Sequence, residues 1–130
     1  MIDNALDRWH RIARDRDARG LAALLADDVV FHSPVVHTPQ RGKALATQYL
    51  AAALQVFGND SFRYVRELRS GHDAVLEFAL EIDGTQINGV DMIRCNDAGQ
   101  IIDFKVMIRP LKAVHLIQQK MAAMMMPANP

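Results

Sequence analysis

The chain has a single cysteine, Cys95, so no disulfide can form within it and nothing ties it to an oxidising compartment. It also lacks an excess of charge of either sign, because fifteen Lys and Arg balance fifteen Asp and Glu. Such a balance exerts no pull on phosphate backbones or anionic lipid, which argues against a nucleic-acid partner. No apolar run approaches the length of a membrane span, so no membrane partner is expected either. The opening Met1-Ile2-Asp3-Asn4 lacks the basic and apolar stretches of a secretion signal. The expectation from these absences is one cytoplasmic domain over residues 1–130, with little electrostatic repulsion against a second copy of itself.

Familiar chemical signatures are missing as well. There is no phosphate-cradling glycine loop, no dinucleotide fingerprint and no nucleophile elbow. The five histidines and one thiol do not fall at zinc-ligand spacing, so neither a metal nor a cofactor is expected.

What the chain does have is a hydrophobic period that changes along its length. Ile2, Leu6, Trp9 and Ile12 recur every three or four residues, which predicts a helix with Asp3 placed to cap it. A second helix is expected over Leu21 to Leu25, stopping near Asp27 and Asp28. Val29-Val30-Phe31-His32 then reads as a short strand cut off by Ser33-Pro34. Two prolines and a glycine make residues 34–42 a loop, and residues 43–57 are helical again.

Beyond Asn59 the period falls to two. Phe62, Tyr64 and Leu68 share one parity of a first strand, and further strands are expected over 74–82, 86–95 and 101–109. Asp83-Gly84 and Asn96 to Gly99 supply the turns between them. Pro110 opens a last helix that runs to about Met126 and stops at Pro127. Helices followed by an antiparallel meander give an α+β domain with the helices packed on one face of the sheet.

Asp91 breaks the pattern of its strand. It shares parity with Ile93 and Cys95, an expensive place for a carboxylate, so it must find a partner or keep its proton. It is either paired across the sheet or a functional acid. In the last strand Phe104, Val106 and Ile108 continue an apolar row from Ile102, as core or as the lining of a cavity. His32 and His37 flank the loop after the first strand; His37, between apolar loop residues, is either a donor or base at a pocket mouth or a loop histidine with a local hydrogen bond. Trp9 sits on the apolar face of the first helix, and its indole N–H needs a partner wherever it is buried. The methionines at 121 and 124–126 read as adaptable packing, a loose lid, or a surface for a second subunit.

Three segments carry a resemblance. They are Leu24-Leu25-Ala26-Asp27-Asp28-Val29-Val30-Phe31-His32-Ser33-Pro34, Gly89-Val90-Asp91-Met92-Ile93-Arg94-Cys95-Asn96-Asp97-Ala98-Gly99, and Met107-Ile108-Arg109-Pro110-Leu111-Lys112-Ala113. On these the chain resembles the SnoaL-like branch of the nuclear transport factor 2-like superfamily, and it is similar to ketosteroid isomerases along nearly its whole length. The resemblance implies a cone-shaped, cystatin-like fold, with a curved antiparallel sheet, N-terminal helices and a C-terminal helix. It also implies an apolar cavity and a homodimer formed through the sheet.

Residue by residue, Asp91 matches the protonated acid of the isomerase oxyanion hole. The family's general base falls on Ser33, which cannot take an α-proton at neutral pH without help. The family's oxyanion tyrosine falls on Trp9, which can donate an N–H but cannot ionise. The resemblance therefore implies a pocket for an apolar small molecule rather than a classical steroid isomerase. It leaves two expectations. One is an isomerase, cyclase or epoxide-hydrolase type of enzyme with Asp91 as acid, Trp9 as a second donor and His37 or His32 as base. The other is a non-catalytic binding protein or a structural dimerisation module. Ser33, Trp9, Phe104, Val106 and Ile108 are the expected pocket residues.

Overall fold

The computed structural model describes residues 1–125; Met126, Pro127 and the rest of the expected helix end lie outside the described residues. Helix α1 spans Ile2–Asp15 and buries Ile2, Ala5, Leu6, Trp9 and Ile12, the stripe that the sequence periodicity marks out. Asp3 does not cap it. Asp3 sits inside the first turn, where its charge suits the helix dipole, and it accepts a hydrogen bond from Arg69 at 2.7 Å.

A short turn of 3₁₀ helix, capped by the Asp17 side chain, leads into α2, Leu21–Leu24. That helix is one turn long because the chain becomes extended at Leu25, earlier than the run of alanine and leucine suggests. Strand β1 covers Leu25–His32 and pairs with β2, Gln40–Arg41, a two-residue strand inside the stretch expected to be loop. Helix α3 follows over Lys43–Phe57.

The meander then forms as expected from β3, Arg63–Ser70; β4, Asp73–Ile82; β5, Thr85–Cys95; and β6, Ile101–Arg109. Asp83 and Gly84 both have positive φ, which suits the tight turn joining two right-twisted strands. Helix α4, Leu111–Met125, closes the described chain and packs against α3. The six strands lie in the order β2-β1-β6-β5-β4-β3, with all neighbours antiparallel except β1 and β6. The sheet is curved and unclosed, so its inner face forms a wall against which the helices pack.

The cross-strand register fixes which side chains face which way. Leu76 lies opposite Asp91, and Asp91 opposite Val106; all three are buried. Phe31 lies beside Phe104 on the same inner face. A bulge between Tyr64 and Arg66 changes the alternation of β3. Before it Tyr64 faces inward. After it Glu67 lies opposite the buried Leu76, and Leu68 is turned out with 62% of its surface exposed. The single parity expected for Phe62, Tyr64 and Leu68 is thus broken at Val65.

Candidate functional site

A cavity of about 400 Å³ lies between α1, α3 and the inner face of β3 to β6. Its walls are mostly aromatic and aliphatic: Trp9 from α1, Leu50, Leu54 and Phe57 from α3, and Phe62, Phe78, Phe104 and Val106 from the loop and sheet. Phe78 stacks on Phe62 with ring centroids 5.5 Å apart and meets Phe57 edge-on at 5.6 Å. Glycine at position 89 makes room for this wall. A Cβ there would come within 2.5 Å of the Phe78 ring tip and of the Met107 carbonyl oxygen.

Asp91 is 6% exposed and lines this cavity. Burial pushes its carboxyl up to about 7, and the hydrogen bond from Tyr64 pulls the other way without cancelling that. The Tyr64 hydroxyl lies 2.6 Å from Asp91 Oδ2, and Trp9 Nε1 lies 2.9 Å from the same hydroxyl. An indole N–H can only donate, so the hydroxyl oxygen accepts from Trp9; the hydroxyl in turn donates its own hydrogen to Asp91 Oδ2. Burial, reinforced by the neighbouring carboxyl, raises the Tyr64 phenol well above its ordinary value. The phenol therefore stays neutral as a donor. Among the described residues Oδ1 of Asp91 has no hydrogen-bond partner, yet it is not sealed off.

One further polar group stands on the wall. His10 lines the cavity beside Tyr64, with its ring edge-on at 5.3 Å. Its Nε2 lies 2.6 Å from Glu67 Oε1, and Arg69 donates to Glu67 Oε2 and to Asp3. Burial pushes the Glu67 carboxyl up, but the bonds from His10 and Arg69 outweigh it and hold the group below the usual carboxylate range. Glu67 is thus ionised and accepts a hydrogen from Nε2, which leaves Nδ1 as the remaining ring nitrogen.

The structure brings together only part of the expected set. Asp91, Trp9, Phe104 and Val106 meet at the cavity. Trp9 does not offer its N–H there, since Tyr64 takes it. His32 is not on the lining; strand alternation puts Phe31 inward and His32 outward, where its Nε2 lies 3.1 Å from Asp103. His37 is exposed on the loop, and Ser33 Oγ accepts from the Val35 N–H in a tight turn, so neither reaches the cavity. Ile108 points to the inner side of β6 but packs over Gly89, outside the lining.

Sequence reasoning missed Tyr64 and His10. Tyr64 was legible only as one member of an apolar row, although a phenol in such a row needs a hydrogen-bond partner, as Trp9 does. His10 follows Trp9 directly on α1, and no pattern in the sequence links it to Glu67 across 57 residues.

The sequence profile of the SnoaL-like domain family matches residues 6–104. No curated protein matches the chain. Among solved structures, a steroid delta-isomerase from Pseudomonas aeruginosa is 38% identical, covering 93% of this chain and 90% of its own, with a TM-score of 0.86. An uncharacterised bacterial protein with a cystatin-like fold, from Silicibacter pomeroyi, is 33% identical over 95% of this chain and 85% of its own, also with a TM-score of 0.86. A nuclear transport factor 2-like protein of unknown function from Mesorhizobium loti is 18% identical over 84% of this chain and 93% of its own. Its TM-score is 0.71, and at that identity the likeness concerns the fold alone. Joined to the curved sheet and its helices, the profile match and the first two structures establish that the chain belongs to the SnoaL-like domain family.

Proposed function

We propose that the cavity holds an apolar small molecule, and that Asp91 donates a hydrogen bond from its neutral carboxyl to a carbonyl or epoxide oxygen of that molecule. The observation that carries this reading is the one-way chain from Trp9 through Tyr64 to Asp91. Because Oδ2 already receives a hydrogen, the proton of a neutral Asp91 belongs on Oδ1, the oxygen without a protein partner. A neutral carboxyl is the better donor to a weak acceptor, and the apolar walls strengthen that bond by excluding water. Absence of His32, His37 and Ser33 from the lining favours binding over catalysis at those positions.

The test is binding of 2-naphthol, an apolar ring system with one oxygen, followed by its fluorescence. Wild type should bind it, and Asp91→Ala should weaken binding about tenfold, the worth of one good hydrogen bond in a dry site. Equal binding by the two proteins overturns the role of Asp91.

A second reading is supported by His10. With Glu67 fixing Nε2–H, Nδ1 could take a proton from the carbon next to a bound carbonyl while Asp91 protonates its oxygen, giving the enol. Return of the proton from His10 to another carbon, with the enol's O–H proton going back to Asp91, would complete an isomerisation. Similarity to a protein described as a steroid delta-isomerase supports the same chemistry. Deuterium uptake from heavy water into a bound ketone, lost in His10→Gln, separates this reading from simple binding.

We also propose a homodimer formed through the outer face of the sheet. On the outer face Leu68 lies opposite Val75, Val75 opposite Met92, and Val90 opposite Met107. Leu68, Met92 and Met107 are exposed, so this face carries a contiguous apolar patch of the kind that pairs with a second copy.

A further inference from the structure

The mouth of the cavity differs in chemistry from its floor. Three arginines, Arg14, Arg16 and Arg63, stand on the lining, and all three are exposed to solvent. One carboxylate, Asp60, stands on the lining with them, and the pairs they make are loosely held. Arg14 contacts Asp15 at 3.2 Å, and Arg16 contacts Asp60 at 3.2 Å, with the Asp60 side chain fully exposed. Exposed pairs of this kind exchange readily for another anion. Among the described residues Arg63 has no carboxylate partner; its guanidinium reaches only the Ser61 carbonyl, at 3.2 Å.

Arg16 is held where it is by the backbone. It ends α1 in the left-handed region at φ 53°, an unusual conformation for a residue with a side chain. Its stem crosses Gly58, where an added Cβ would come within 2.9 Å of Arg16 Cδ and 2.3 Å of the Leu54 carbonyl oxygen. The glycine that ends α3 therefore leaves the space through which Arg16 reaches the mouth.

From this arrangement we infer that the ligand is an amphipathic anion: an apolar body with an oxygen at the Asp91 end and a carboxylate, sulfate or phosphate group at the arginine end. The inference rests on the pocket reading proposed above and adds the second end of the molecule. An apolar wall alone selects poorly among hydrophobic compounds, whereas guanidinium groups at the rim select for charge and attract the anion before it enters.

The experiment uses a series of 6-hydroxynaphthalene-2-alkanoic acids with chains of increasing length, each compared with its methyl ester, with binding read by naphthol fluorescence. At the chain length that spans the cavity, the acid should bind about tenfold tighter than its ester, as charge-assisted hydrogen bonds imply. The advantage should shrink with added salt and disappear in Arg16→Gln/Arg63→Gln, while the esters keep their affinity. Arg66→Gln, which removes a cation paired with Glu77 away from the cavity, should leave the acid preference intact. Esters that bind as tightly as their acids at every length overturn the anion preference and leave the pocket standing. If neither acids nor esters bind, the pocket reading itself falls, and this inference with it.

Discussion

Tyr64 Oη lies 2.6 Å from Asp91 Oδ2 and donates its hydrogen to that oxygen, while it accepts the N–H of the Trp9 indole 2.9 Å away. The two residues come from strands separated by β4, so the bond spans the width of three strands across the inner face. It anchors one carboxyl oxygen and leaves the other to the cavity. The burial that makes Asp91 costly to ionise also suits it to donate a hydrogen bond.

Stability should therefore depend on pH in a definite sense. The Asp91 carboxyl rises from 3.8 to about 7 in the folded protein, so the folded state holds a proton that the unfolded chain releases. Its contribution is fully present below pH 3.8 and is lost as pH rises through about 7. The loss amounts to ~4 kcal/mol at most, since each tenfold difference in proton affinity between the two states is worth ~1.4 kcal/mol. Glu67 and Glu77 are shifted down and act in the opposite sense, losing their contribution on acidification below the usual carboxylate range. Urea unfolding at a series of pH values should show wild type weakening between pH 4 and 7. Asp91→Asn, which keeps a neutral side chain of the same shape, should be flat over that window. A flat wild-type profile would rule out a buried, raised acid.

Removing the Tyr64 hydroxyl should move Asp91 in a predictable direction. The bond from Tyr64 lowers the carboxyl pKa, so Tyr64→Phe should raise it above its wild-type value. The same change leaves the Trp9 N–H unpaired in an apolar wall and should cost ~1–3 kcal/mol of stability. Carbon-13 NMR titration of the Asp91 carboxyl and thermal unfolding of the variant read these separately. A carboxyl pKa that falls in Tyr64→Phe contradicts a hydrogen bond donated by the phenol.

Gly89→Ala tests the cavity wall from beneath the Phe78 ring, on the same inner face of the sheet. The new methyl would meet the Phe78 ring and the Met107 carbonyl at 2.5 Å, so Phe78 has to yield toward the cavity. Overpacking of this kind should destabilise by ~1–3 kcal/mol and reduce affinity for an apolar ligand, measured by 2-naphthol fluorescence. Unchanged affinity would mean that the Phe78 ring does not bound the ligand space.

The inner and outer faces were legible in the sequence wherever alternation ran unbroken. Asp91, Ile93 and Cys95 share a buried face as their parity requires, and the same rule applied to Phe31 sends His32 outward toward Asp103. A pocket base at His32 suits the chemistry of imidazole but not the parity of its strand. Beyond the bulge at Val65 the rule fails, because a bulge arises from local backbone geometry that no pattern of apolar residues reveals. That bulge turns Leu68 out and brings Glu67 in to meet His10, so the pair on the cavity wall was hidden for the same reason. The Tyr64 bond to Asp91 depends on curvature that draws two non-neighbouring strands together. Composition and period carry no record of it.

The outer patch gives the last prediction its residues. Val75 and Met92 are register partners, as are Val90 and Met107, so the four side chains form two adjacent rows on one face. Leu68 extends the first row from β3. A monomer would leave these apolar groups in water, and the chain's formal charge of zero offers little repulsion to a second copy. Light scattering at tens of micromolar should thus report about 29 kDa, twice the 14.5 kDa chain. Met92→Asp/Met107→Asp puts two carboxylates into the middle of the patch, where pairing two copies would bury four unpaired charges. That variant should scatter as a monomer of 14.5 kDa while keeping its circular dichroism, because both side chains point away from the core. A wild-type particle of 14.5 kDa would refute the dimer. A variant that stays dimeric would move the interface to another surface.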